Sequence, residues 1–424
     1  MRFIRHLLIV ISGLLVSPSL LVATELRYKE FTIKPKLAAG VAYDENFFKA
    51  SANKRNVLTT YLKPGLQIRR TGGRSLIQLH YLLNATAYED IGTVSDDTRS
   101  AESFDYIGHE LAGRFRYKPS IRVTLGLDEG FFLTRDPAFS DELGDPTSRE
   151  KYYINRLTPS FLYEFGPKLS AGFRYRNTVT DYLSGDVEDS VEHRGIFDLE
   201  YNLNRDTRMD FRYQLWSRDF NRSTSDYDSW ETKLIFIKEF QKLSVEAGAG
   251  YQSRTFDGGS ENTESSASDS LPDINNMVTH LAVLMEEIPW VNTPKTDIEL
   301  RYDQNYNDQG YGNAYYLANR FTLSISRLVL DRVRTEIGSF YQRDDFENDD
   351  RFEFSGRTDN TYGVSGGIGY HFTRFLKGLK CNVQTGYERR NSNADGKDFE
   401  NTFVLFDIRM GIESDLLTLR PSIR

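Results

Sequence analysis

The chain has 424 residues, 53 Lys+Arg against 61 Asp+Glu, and a net charge of −8. Its mean hydropathy of −0.52 excludes a bundle of membrane helices, each of which needs about 20 consecutive apolar residues. The acidic balance argues against nucleic acid as a partner, because phosphate calls for a clustered positive excess, and 31 Gly with only 12 Pro fits neither a collagen-like nor a Pro-rich disordered chain.

Arg2 and Arg5 precede the apolar run Leu7 to Val16, and Ser17, Pro18 and Ser19 then break it. This pattern predicts a secretory signal peptide over residues 1–23, cleaved near Ala23 or Thr24, with an uncleaved anchor helix as the alternative. The only cysteine is Cys381, so no intramolecular disulfide forms, and no zinc-ligand spacing occurs.

From there to the end, apolar and polar residues alternate with period two, the signature of β-strands. In one segment Leu169, Ala171, Phe173, Tyr175 and Val179 share a face, opposed by Ser170, Gly172, Arg174, Arg176 and Thr178. Eighteen such segments are predicted, at 31–44, 56–69, 75–88, 105–117, 121–133, 151–165, 168–182, 192–204 and 206–220. The series continues at 226–240, 242–256, 275–287, 295–307, 314–328, 331–345, 358–373, 378–391 and 399–412. They are longer than ordinary globular strands, which peak near 5 to 6 residues. Connections alternate between tight ones (Lys118-Pro119-Ser120, Gly166-Pro167, Arg205, Gln241) and long polar ones such as 134–150, 183–191 and 257–274.

An even number of long strands, with short turns at one end and variable loops at the other, is the plan of a transmembrane antiparallel β-barrel. Closure pairs every backbone group without leaving an edge in hydrocarbon. The expected architecture is all-β: a single-chain outer-membrane barrel over residues 24–424, its wall against lipid, with 413–424 a possible periplasmic tail. Aromatic residues at segment ends (Tyr43, Tyr117, Tyr163, Phe165, Tyr175, Tyr201, Tyr251, Tyr370, Phe372, Tyr387) are expected to form interfacial girdles. A soluble β-sandwich or β-solenoid is the rival, with shorter strands and no need for aromatic ends. In the last segment Phe403 and Leu405 oppose Val404, Phe406, Ile408 and Met410, so its phase is ambiguous.

Enzymatic signals do not survive inspection. Gly363-Val364-Ser365-Gly366-Gly367 matches the nucleophile-elbow pattern, but that motif needs a strand-to-helix turn and here sits inside a strand. The six histidines show no metal-ligand spacing; His80, His280 and His371 take lumen-facing phases and read as solvated wall residues. The His-x-Ser-Asn-Gly run expected of an outer-membrane phospholipase is missing. Asp344 to Asp350 reads as a solvated acidic loop rather than a Ca²⁺ site, because the EF-hand glycine spacing is absent. Neither a catalytic residue, a metal site nor a cofactor is predicted.

The distinctive feature is the inward phase of the fourth to ninth strands. It carries Arg114, Arg116, Arg122, Arg174, Arg176, Arg194, Arg208, Arg212 and Arg218, interleaved with Glu110, Asp128, Glu164, Asp198, Glu200 and Asp210. Later strands place Asp297, Glu299, Asp303, Glu336 and Glu388 inward, and Trp216 and Phe132 add inward aromatic rings. Two readings stay open: a charge-segregated channel, since ladders of fixed charge set ion and substrate preference, or an ion-pair lattice that stiffens the wall.

Tyr43, Asp44, Asn46 and Phe48 lie in the stretch Ala42-Tyr43-Asp44-Glu45-Asn46-Phe47-Phe48. It resembles the Tyr-Asp-Asp-Asn-Val-Phe stretch closing the first strand in the putative β-barrel porin 2 family, the outer-membrane β-barrel proteins of exopolysaccharide gene clusters. Ile33-Lys34-Pro35 and Leu62-Lys63-Pro64-Gly65-Leu66 are similar to that family's Pro-containing first and second strands, whereas Glu45 and Phe47 depart from its pattern. The resemblance implies a barrel of about 18 strands in the Gram-negative outer membrane, tied to polysaccharide export, with polysaccharide and periplasmic export proteins as partners. A general diffusion porin, or a structural or adhesion barrel, is the alternative.

Overall fold

The computed structural model describes residues 26–411 apart from 93–99, 136–148, 184–187, 222–225, 257–270, 287–295, 307–314, 330–331, 349, 351–354 and 373–377. A three-residue strand, β1 (Leu26–Tyr28), precedes 18 long ones. These are β2 (Phe31–Asp44), β3 (Val57–Thr71), β4 (Ser75–Asp90), β5 (Tyr106–Tyr117), β6 (Val123–Thr134), β7 (Tyr152–Glu164), β8 (Leu169–Tyr182), β9 (Ser190–Asn204) and β10 (Thr207–Phe220). The wall continues with β11 (Tyr227–Glu239), β12 (Leu243–Phe256), β13 (Ile274–Met285), β14 (Thr296–Tyr306), β15 (Tyr316–Val329), β16 (Val333–Phe346), β17 (Thr358–His371), β18 (Leu379–Ser392) and β19 (Phe399–Met410). All 18 long strands lie within two residues of the bounds read from periodicity. Among the described residues there is no α-helix, only a 3₁₀ turn at Ala101–Phe104.

Each long strand pairs antiparallel with the next, and β19 returns to pair with β2, from Phe403 opposite Asp44 to Met410 opposite Leu37. The sheet is thereby a closed barrel of 18 strands. Because β19 stops at Leu37, the first residues of β2 would present an open edge on that side. The chain turns through Lys29, whose φ is 54°, and lays β1 along it, Leu26 opposite Ile33. Periodicity gives no sign of β1, because three residues are too few to show a period.

The two faces separate as a barrel requires. Phe173, Phe197, Phe211, Leu234, Phe236, Val364 and Ile368 are exposed on the outer face. Val404 and Phe406 join them, which settles the phase of β19. On the outer face, tyrosines bond a polar partner on the following strand: Tyr81 to His109 (2.8 Å), Tyr175 to His193 (2.6 Å), Tyr302 to Asn319 (3.0 Å) and Tyr341 to Asn360 (2.7 Å). An apolar ring with its hydroxyl so satisfied suits the boundary between hydrocarbon and water. At the short-turn end the predicted pairs Tyr163–Phe165 and Tyr370–Phe372 meet edge-on, both at 4.8 Å.

On the inner face, side chains reach across intervening strands. Lys63 of β3 meets Glu110 of β5 at 3.0 Å, and Lys233 of β11 meets Asn305 of β14 at 3.4 Å. Only a concave surface brings such residues together. Toward the loop end two aromatic clusters fill parts of the lumen. One contains Trp216, Tyr227, Phe256, Tyr306 and Tyr315, the other Phe47, Val57, Tyr88, Phe104 and Tyr106.

Ser365 lies on the inner wall within β17, where the glycine-serine run forms ordinary strand. The acidic stretch differs from expectation: Asp344, Asp345 and Phe346 complete β16, with Asp344 accepting from Gln342 and Asp345 from Arg343. These intrastrand partners keep the polar residues in the ladder instead of a loop. The predicted signal peptide, most of the loops 134–150 and 257–274, and the tail 413–424 lie outside the described residues.

Candidate functional site

The inner face of β5 to β10 is a wall of guanidinium groups, most of them gathered around shared carboxylates. Strand alternation places Arg114 and Arg116 two residues apart on β5, facing Asp128 of β6, and both bind it, Arg114 at 2.9 Å. Arg174 of β8 and Arg212 of β10 reach Asp198 of β9 from opposite sides, at 2.6 and 2.7 Å. Arg208 pairs with Asp210 on its own strand at 3.0 Å. Nearer the loops, Arg176, Arg194 and Arg218 converge on Glu192 at 3.1, 3.0 and 3.8 Å.

Two guanidinia on one carboxylate leave a net positive charge, and three leave more. The ion-pair lattice is therefore present, and around Asp128 and Asp198 the arginines locally outnumber the carboxylates. Accessibility then divides the lattice. Arg114, Arg174 and Arg208 keep 46, 36 and 37% of their side-chain surface exposed, whereas Arg194 and Arg218 keep 6 and 3%. The first three face the lumen. The Glu192 group is a buried knot, with Arg194 lying on the Trp216 ring at 4.1 Å.

Arg122 precedes β6 and sits exposed in the turn between Tyr117 and Val123. Glu110 pairs with Lys63, Glu164 ends β7, and Glu200 lies opposite Asp210 across β9 and β10. Trp216 and Phe132 are both buried on the inner side. Of the later acidic residues, Asp303 binds Arg301, Glu336 binds Arg334, and Glu388 binds Lys49 at 2.8 Å.

Sequence reasoning missed Glu192, although it shares the phase of Arg194 two residues on. It also read His280 as a solvated wall residue. His280 is buried between Asp303 at 2.7 Å and Glu246 at 3.3 Å. No periodicity brings β12, β13 and β14 together at that height; only the register does. Beside it, a cavity of about 480 Å³ lies near the short turns, lined in part by Arg208, Asp210, Arg212 and Glu246.

The family-like motif has a different place. Asn46 is fully buried where the first and last long strands meet. Its backbone N–H donates to Asn401 at 2.8 Å, and its side chain donates to the Glu400 carbonyl at 3.0 Å. Asn401 in turn donates to Asp44 at 3.2 Å, and the Glu45 N–H to the Thr402 carbonyl at 2.9 Å. Asp44 and Asn46 thus clasp the seam, and Phe48 packs beside Phe47 at 5.0 Å.

The family model for Putative beta-barrel porin 2 matches residues 239–411, from the end of β11 to just past β19. This chain resembles that family. The matched part does not include the motif at Tyr43 to Phe48. No curated protein matches the chain. Among solved structures, OpdK of Pseudomonas aeruginosa, crystallised with vanillate, is 13% identical with a TM-score of 0.51, covering 89% of this chain and 98% of its own. A BenF-like porin from Pseudomonas fluorescens is 12% identical with a TM-score of 0.52, over the same shares. OccK2 (OpdF) of Pseudomonas aeruginosa is 12% identical with a TM-score of 0.51, over 89% of this chain and 97% of its own. At such identity the likeness is one of fold: this is a β-barrel of the outer-membrane porin type. The resemblances are to porins and not to enzymes.

Proposed function

We propose that the protein is an outer-membrane channel for an anionic cargo, and that the cargo is a polysaccharide on its way out of the cell. In this reading residues 1–23 direct the chain through the inner membrane and are removed, residues 24–424 form the barrel, and periplasmic export proteins deliver the polymer. The single observation that carries it is the exposed arginine ladder of β5, β8 and β10, in which guanidinia outnumber the carboxylates they share. Fixed positive charge along a low-dielectric wall concentrates anions and guides them. The resemblance to the porin family of exopolysaccharide gene clusters supplies the polymer.

A second reading, a diffusion porin for small organic anions, has an observation of its own. The two aromatic clusters narrow the loop-end lumen from opposite parts of the wall, and OpdK, of similar fold, was crystallised with vanillate. Deletion of the gene in its own host separates the two. The export reading expects surface polysaccharide to fall and to return with the wild-type gene. Unchanged secretion together with slower uptake of small organic acids would favour diffusion.

A further inference from the structure

A second cavity, of about 400 Å³, lies in the loop half of the lumen beneath the seam, between the inner faces of β2, β3 and β4. Its size falls in the range of about 300–1,000 Å³ typical of small-molecule sites. Alternation on β2 turns Ala38 and Ala42 toward it, and the Tyr61 ring crosses the intervening Gly40 so closely that a Cβ there would sit 2.6 Å from the ring. Only glycine admits that ring, which gives the cavity an aromatic wall.

The polar lining is specific. Arg149 stands at the loop end, its guanidinium 3.6 Å from the centre of the Phe47 ring and donating to the Phe47 carbonyl at 3.0 Å. Among the described residues no carboxylate forms an ion pair with it. Lys63 and Arg409 add two further cations, their own carboxylates Glu110 and Asp407 lying outside the lining. Against these stands one carboxylate in the lining, Asp44, with the hydroxyl of Thr59 and the amide of Asn84 nearby. A simple inorganic anion would gain from the cations but be repelled by Asp44. A sugar acid gains from both, because its carboxylate meets guanidinium while its hydroxyls donate to carboxylate and amide oxygens, and its apolar ring face covers Tyr61.

We propose that this cavity is a binding site for a uronic acid unit, free or within a chain. The proposal rests on the reading of the barrel as a channel for acidic saccharide and assigns that cargo a resting place. It also gives the Tyr43-to-Phe48 stretch a second task, since Asp44 lines the cavity and Phe47 holds Arg149 over it.

The test is calorimetric titration of the full chain in detergent with galacturonate, trigalacturonate and neutral maltotriose, which reads binding without requiring conduction or export. Saturable binding of an acidic probe and none of maltotriose is expected. Galacturonate alone would assign free sugar acids, and trigalacturonate a chain. Arg149→Gln should weaken binding about tenfold or more, the value of a charge-assisted hydrogen bond. Thr59→Val keeps side-chain shape, so it guards against loss through misfolding, and it should weaken binding severalfold. Absence of binding, equal binding of maltotriose, or affinity unchanged in both variants would overturn the site. If deletion leaves polysaccharide secretion intact while titration shows the expected pattern, the export reading fails and the site stands.

Discussion

Asn46 carries more of the barrel's closure than its size suggests. Besides its two bonds to β19, its side chain donates to the Ala50 carbonyl at 2.7 Å and accepts from the Ala50 N–H at 3.0 Å, so the loop after β2 is folded around it. Replacing it with alanine removes these side-chain partners from a site with no access to water, where each orphaned polar group costs about 1–3 kcal/mol. Asn46→Ala is therefore expected to destabilise the barrel by about 2–4 kcal/mol, read as a lower midpoint for the shift from folded to unfolded mobility on heated gels. Phe48→Ala, which leaves the clasp intact, should cost less. Equal midpoints for wild type and Asn46→Ala would show that the seam does not depend on the clasp. Nothing in the motif's spelling announces this role, because the partners Glu400 and Asn401 lie more than 350 residues away.

At the scale of the strand, period two was enough to place every long element, because a wall facing lipid on one side and water on the other forces each residue to declare its face. The same rule located the arginines of β5, β8, β9 and β10 on the inner side. It could not say which of them share a carboxylate, since that depends on register between strands: Asp198 is opposite Arg212 across one edge of β9 and opposite Gly172 across the other. It also stopped short of ends, where Arg122, inside the predicted segment 121–133, falls into a turn before β6. Strand direction yields its own prediction. Both β2 and β19 have their outer termini at the short-turn end, one shared end being what an even number of strands requires, and the short periplasmic turns of such barrels lead us to expect that end in the periplasm. Epitope tags inserted within 134–150 or 257–274 should be labelled on intact cells, and tags at Lys118–Ser120 should be labelled only after the outer membrane is opened. Labelling at the short turns alone would reverse the orientation.

For the whole molecule, the charge of −8 does not describe how charge is laid out along the inner wall. Arginines gather around shared carboxylates along β5 to β10, while β12 to β14 bring Glu246 and Asp303 to His280 across the lumen wall. The chain's net sign therefore says little about what the channel prefers; the exposed inner residues decide. Their effect is strongest in dilute salt, where the Debye length is about 30 Å at 0.01 M against about 10 Å at 0.1 M. The most direct measurement is the reversal potential of the purified barrel in planar bilayers under a KCl gradient at low salt, compared with the variant combining Arg114→Gln, Arg174→Gln, Arg208→Gln and Arg212→Gln. The wild type is expected to prefer chloride, and the variant, with Asp198 and Asp210 stripped of their arginines and Asp128 keeping only Arg116, to shift toward potassium. Equal reversal potentials for the two proteins, or no conductance from either, would contradict a channel guided by its arginine wall.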